Sequence, residues 1–204
     1  LEPSYDGKLS INPFDLDLNI DLGNLDVLNL FNVNSIFTEF IKSGLLTNDN
    51  ISVKISANTQ SKFNNKIFQN AKINFNIVNG KINFNNTKFI NDKIGILQLN
   101  NSNLFVKNNR ILLNTDLLID IKDINNLFTF LNTSKKSRKS IKKILVNLDY
   151  DFLSNQIRFN NVRVDNKKVN EQFLRIMTGF NDNNLNNITK GRRLINELLE
   201  VYEG

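Results

Sequence analysis

Between Lys72 and Lys122 the chain alternates apolar and polar residues through one short segment after another. A period of two is the side-chain repeat of a β-strand. Ile73, Phe75 and Ile77 fall on one side, and Asn74 and Asn76 on the other. The pattern resumes at Ile82 and Phe84, at Ile94 and Ile96 with Leu99 as a candidate, and at Leu104 and Val106. Its longest stretch sets Ile111, Leu113, Thr115, Leu117, Ile119 and Ile121 against Asn114, Asp116, Asp120 and Lys122. Such a chain is constrained to a sheet with one apolar and one wetted side, and what covers the apolar side decides its function.

The same reading extends to both ends. Phe14, Leu16, Leu18, Ile20 and Leu22 alternate with Asp15, Asp17, Asn19 and Asp21, and Leu25, Val27 and Leu30 are a candidate partner strand. Over 34–44 the period changes: Ile36, Phe37, Phe40, Ile41 and Leu45 have helical spacing, with Asn34 or Ser35 as N-cap and Gly44 as stop. Strands are predicted at 51–59, 66–78, 80–85, 87–90, 93–100, 103–107 and 110–122. Their short Asn-rich connectors imply antiparallel neighbours. Asp123 is a predicted cap for a helix carrying Ile124, Leu127, Phe128 and Leu131, which runs on into a basic stretch. Strands at 144–153 and 156–164 and helices at about 168–180 and 187–202 follow. No linker divides the chain. The expected fold is therefore one α+β domain over 1–204, mainly β: a curved antiparallel meander with one apolar face, flanked or capped by amphipathic helices.

Composition narrows the chemistry. The chain has neither His nor Cys, which removes the commonest general base, the commonest metal ligand and every thiolate. Asp15, Asp17 and Asp21, like Asp149 and Asp151, read as the solvated side of amphipathic strands. We therefore expect no enzyme, metal or cofactor. Asn makes up about a fifth of the residues and Ala occurs only at 57 and 71, a bias expected of an AT-rich genome. The net charge of +6 equals one run, Lys135, Lys136, Arg138, Lys139, Lys142 and Lys143. That run is either a solvated surface or a contact for anionic headgroups. It lacks the interleaved aromatics of single-strand nucleic-acid binders, so nucleic acid is not an expected partner. No stretch of 18 apolar residues occurs.

One stretch carries a family pattern. Gly80-Lys81-Ile82-Asn83-Phe84 fits a G-x-I/L-x-F strand, and Gly95-Ile96-Leu97-Gln98-Leu99 a G-x-L-x-L strand. The hairpin from Leu104 through Leu113 and Asp123 before a helix follow in order. This order resembles the C-terminal region of AsmA-like proteins over roughly 70–165, and the stretch after Asn132 resembles AT-rich alphaproteobacterial members. Asn stands here where the family often has Gly at turns. The resemblance implies the C-terminal fragment of an envelope-biogenesis protein, held in the inner membrane by an upstream segment and facing the periplasm. It would contribute a hydrophobic β-groove, or the cap of one, to phospholipid transfer between the two membranes. The groove would be lined by Ile73, Phe75, Ile77, Ile82, Phe84, Ile94, Ile96, Leu104, Val106, Leu113, Leu117 and Ile119. Its partners would be phospholipid acyl chains, an anionic membrane surface or other envelope proteins. The alternative is a scaffold domain whose β core is fully covered and holds no ligand.

Overall fold

A computed structural model of the protein describes residues 4–23, 36–60, 68–180 and 188–203. The chain opens with a hairpin of β1 (Ser4–Ile11) and β2 (Phe14–Asp21) around Asn12 and a cis Pro13. The helix α1 (Ile36–Lys42) and a 3-10 turn (Leu45–Thr47) lead to β3 (Ile51–Gln60). After β4 (Asn70–Val78) come β5 (Lys81–Asn83), β6 (Lys88–Asn91), β7 (Gly95–Lys107) and β8 (Arg110–Ile121). The helix α2 (Ile124–Leu131) then precedes β9 (Lys143–Asp151), β10 (Gln156–Val164) and the two-residue β11 (Lys167–Lys168). Two helices close the chain, α3 (Glu171–Phe180) and α4 (Ile188–Val201).

All eleven strands join one mixed sheet in the order β1-β2-β3-β4-β5-β7-β8-β9-β10-β11, with β6 sharing the place of β5 between β4 and β7. The fold is mainly β with helices, as expected. The purely antiparallel meander is corrected at one place: β2 and β3 are parallel. Parallel neighbours need a crossover, and the connection containing α1 supplies it. The strands expected at 93–100 and 103–107 are one strand, β7. The helix after Asp123 does not run into the basic stretch. The Asp123 carboxylate caps it by accepting from the N–H of Asn125 and Asn126, and Asn132, at φ 55°, ends it. Leu25, Val27, Leu30, Asn34 and Ser35 lie outside the described residues.

Three two-residue hairpins, Asn79-Gly80, Asn108-Asn109 and Asp165-Asn166, have positive φ at both positions. This conformation matches the twist of the flanking strands, and Asn and Gly adopt it most readily. Gly80 has a further constraint: a Cβ there would lie 2.6 Å from the carbonyl oxygen of Thr47, so the 3-10 turn and the β4–β5 turn pack backbone to backbone.

The middle of the sheet contains a paired irregularity. Eight residues separate Ile82 from Ile90, and eight separate their partners Leu104 and Ile96 in β7. On the flanking strands only seven separate the corresponding partners, Ile77 and Asn70 in β4 and Leu113 and Asp120 in β8. Each arm of the central hairpin thus carries one extra residue, and the two bulges lie side by side. Buried hydroxyls replace the ladder bonds lost there. Thr87 Oγ1 accepts from the Asn74 N–H at 3.0 Å and donates to the Asn74 carbonyl at 3.2 Å. Ser102 Oγ accepts from the Phe84 N–H at 2.7 Å and donates to Asn85 Oδ1 at 2.9 Å. Thr115 Oγ1 donates to the Asn100 carbonyl at 3.1 Å.

An unpaired buried backbone group costs about 1–3 kcal/mol. Thr87→Val keeps the shape but strands both polar groups of Asn74, so urea unfolding should show a loss of about that size. Thr87→Ser should retain most of the stability. A Thr87→Val variant as stable as the parent would show that the hydroxyl is dispensable.

Candidate functional site: the apolar side of the sheet

Cross-strand partners share a side of a sheet, so the register identifies what faces together. Leu9, Leu16, Val53, Ile77, Ile82, Leu104, Leu113, Tyr150 and Ile157 are successive partners across nine strands. The flanking positions on this side are also largely apolar, among them Ile55, Phe75, Leu99, Leu117, Val146 and Val162.

Two covers close most of this side. Ile41 of α1 and Leu46 of the 3-10 turn form one buried cluster with Val53, Phe75, Ile77, Ile82, Phe84, Leu104, Ile111 and Leu113. The Phe75 and Phe84 rings lie 5.5 Å apart within it. The second cluster places Phe128 and Leu131 of α2, Phe173 and Met177 of α3, and Leu194, Leu198 and Leu199 of α4 against β8, β9 and β10. Tyr150 packs against both clusters, edge-on to Phe152 at 4.9 Å, with its hydroxyl donating to Asn155 at 2.9 Å.

The cover stops short of the first hairpin. Tyr5 is 82% exposed, Leu9 61% and Ile11 81%, all on the apolar side. Phe14 is also exposed, while Leu16, Leu18 and Ile20 are half-buried. These residues, absent from the predicted lining, form an accessible part of the apolar side.

Of the predicted lining, Phe75, Ile77, Ile82, Phe84, Leu104 and Leu113 are brought together beneath α1, with Ile73 half-buried beside them. Leu117 and Ile119 pack against the second cluster. Val106 sits on the same side at the exposed end of β7. Two positions fall elsewhere. Ile96 pairs with Ile90 and Asp120 and so lies on the opposite side. Ile94 precedes β7, and its carbonyl accepts from the N–H of Lys122 and Asp123. The reason is the bulge at Asn100–Asn103: even-numbered residues of β7 face the apolar side after it, odd-numbered ones before it. Leu97 and Leu99 therefore take the place assigned to Ile96. The positive φ of Asn101 marks the switch, but a bulge leaves no alternation signal of its own.

The basic run is partly engaged in structure. Lys135 and Lys136 lie in a second 3-10 turn, Lys135–Ser137, and are exposed, as are Lys142 and Lys143. Arg138 lies over the Phe128 ring at 5.6 Å, with Nε donating to the Thr133 carbonyl, and Lys139 is half-buried. The backbone N–H groups of Lys142 and Lys143 both donate to Asp165 Oδ1. The α4 helix is fastened beside this turn by Asn196, which accepts from Thr133 Oγ1 at 2.7 Å and donates to the Leu131 carbonyl at 2.9 Å. Arg192 of α4 covers the Phe130 ring at 4.5 Å.

On the polar side the carboxylates are tied into side-chain ladders. Asp116 accepts from Asn147 and Asn101, Asp149 from Asn114 and Asn160, and Asp151 pairs with Arg110 at 3.1 Å. Asp17 has Lys8 and Lys54 as its two cross-strand partners. Among the described residues no helix is long and apolar enough to cross a membrane. No family model, no curated protein and no solved structure matches the chain.

Burial, then the charge of Asp151, pushes the Tyr150 phenol above its ordinary value. Burial, then Asp165, does the same for Tyr202. A raised folded-state value means the neutral phenol stabilises the fold. That contribution is complete below the unfolded value of about 10 and is lost as pH rises through the folded value. Tyr150→Phe should therefore flatten the alkaline decline of stability relative to the parent above about pH 10. Parallel denaturation curves for the two proteins would contradict this role for Tyr150.

Proposed function

We propose that this chain is a non-catalytic lipid-handling module: the capped end of an apolar β-trough of the AsmA-like kind, contributing to phospholipid transfer between inner and outer membranes. The observation that carries this reading is the single apolar row from Leu9 to Ile157, closed by helices over most strands and accessible at the first hairpin. Acyl chains would lie against Tyr5, Leu9, Ile11 and Phe14, where removal of hydrocarbon from water contributes about 0.8 kcal/mol per CH2. A strand of eight residues spans about 26 Å, comparable to an extended acyl chain. In this reading the sheet curves around its apolar side, and the exposed lysines at 135, 136, 142 and 143 contact anionic headgroups. An upstream anchor would hold the protein at the inner membrane, facing the periplasm.

The cover over Phe75, Ile77, Ile82 and Leu104 favours a second reading for that part of the sheet. There the apolar side is core, and the domain is a scaffold for other envelope proteins. The two readings separate in one experiment. Lipid extracted from the purified protein should be identifiable by mass spectrometry, and Leu9→Asp with Ile11→Asp should abolish it with little change in unfolding midpoint, since both side chains are already exposed. Phe75→Asp should instead unfold the protein under either reading, a buried unpaired charge costing several kcal/mol. A folded parent protein that yields no lipid, even after incubation with phospholipid vesicles, would leave the scaffold reading standing.

A further inference from the structure

The two edges of the sheet are built differently. Natural sheets blunt their edges with short strands and lysines, because unpaired backbone N–H and C=O groups recruit further strands. The β11 edge does this: it is two residues long and both are Lys. The β1 edge does not. It is eight residues long without proline or bulge, every residue is exposed, and among the described residues it pairs only with β2.

We propose that the β1 edge docks a second copy of this chain, edge to edge and antiparallel, to form a two-fold symmetric dimer. The sequence of β1, Ser-Tyr-Asp-Gly-Lys-Leu-Ser-Ile, is self-complementary about Gly7. With Gly7 opposite Gly7 of the second copy, Asp6 meets Lys8 and Lys8 meets Asp6. Tyr5 meets Leu9 and Leu9 meets Tyr5, and Ser4 meets Ser10. Residues that meet share a side, so both opposite-charge pairs lie on the polar side and both aromatic–aliphatic pairs on the apolar side. These are the cross-strand combinations that stabilise a sheet. The charge order is also continuous with the sheet behind it: Lys54, Asp17 and Lys8 are successive partners within one copy, and Asp6 of the second copy extends the alternation. A two-fold axis perpendicular to the sheet keeps the apolar sides of the two copies together, and the contact is isologous and closed. It would set Tyr5 of each copy beside Leu9 of the other, two of the most exposed large apolar side chains described, and leave their outer surface open on the apolar side.

The experiment is a charge swap read by light scattering over a concentration series. The parent chain should be dimeric. Asp6→Lys and Lys8→Asp, each alone, place like charges opposite each other twice and should weaken dimerisation by roughly tenfold or more. The double variant, Asp6→Lys with Lys8→Asp, restores both opposite-charge pairs and should dimerise again. An equal mixture of the two single variants should form a heterodimer. Lys8→Asp also removes the neighbour of Asp17 within the hairpin, but the double variant shares that loss, so its recovery reports the interface. Should a single variant fail to fold, amide exchange on the parent chain supplies the same answer: β1 amides should slow as concentration rises through the monomer–dimer transition. A parent chain that stays monomeric, dimers indifferent to the single substitutions, or a double variant that stays monomeric would each overturn the proposal.

Discussion

The parity of the sheet is the constraint on which everything else depends. In a β-ladder a slip of one residue turns every later side chain to the other face. This sheet inserts an extra residue into two adjacent strands and still keeps Leu97, Leu99, Leu104 and Val106 on the side that carries Ile77, Ile82 and Leu113. It does so because the insertions in β5–β6 and β7 lie beside each other, so those strands stay in mutual register while each shifts against its outer neighbour. The change of parity is absorbed by the sequence: Leu97 and Leu99 before the bulge, Leu104 and Val106 after it. The backbone groups left without strand partners are taken up by Thr87, Ser102 and Asn85. Without these side chains the irregularity would leave unpaired polar groups inside the core.

Once the apolar side is continuous, its cover follows from chain length and connection. A parallel β2–β3 pair requires a long crossover, and α1 in that crossover contributes Ile41 to one buried cluster with residues of β3, β4, β5, β7 and β8. The end of the chain supplies the second cover, where α2, α3 and α4 close over β8 to β10. Tyr150 belongs to both clusters, so the two covers meet on β9. The hairpin of β1 and β2 has no comparable cover among the described residues. Its exposed apolar side and its open edge therefore occur at the same place.

The legible and illegible parts of this fold divide along physical lines. Strands β2, β4 and β8 are readable because apolar residues recur at every second position along each, even though β2 is only half-buried and Leu112 and Leu118 add apolar residues on the other side of β8. The terminal helices were readable because Phe173 and Met177, and Leu194 and Leu198, recur at helical spacing. Two features were not. The β1 strand carries only Tyr5, Leu9 and Ile11 on its apolar side, with Gly7 between them, too sparse an alternation to stand out. The parallel pairing of β2 with β3 depends on where a long connection returns, which no local period encodes. The candidate site shows the same division. Six predicted lining residues do share a cluster, but they are its covered part. The accessible residues Tyr5, Leu9 and Ile11 were missed, because alternation identifies a side of a sheet and not its cover.

The abundance of Asn, read from the sequence as a compositional bias, acquires structural uses. Asn holds every positive-φ position described other than glycine, apart from Asp165. At these positions other side chains crowd the backbone, and Asn tolerates the conformation better than most. On the polar side the carboxamide both donates and accepts. Asn147 accordingly donates to Asp116 while accepting from Asn160, and Asn114 donates to Asp149. Such ladders satisfy neighbouring carboxylates without recruiting lysine or arginine. The cations of the run from Lys135 to Lys143 are thus not needed to neutralise these acids, and four of its six side chains, those of Lys135, Lys136, Lys142 and Lys143, remain exposed with no side-chain ion pair recorded among the described residues. The asparagines thus both shape the turns of the sheet and satisfy the carboxylates on its polar side.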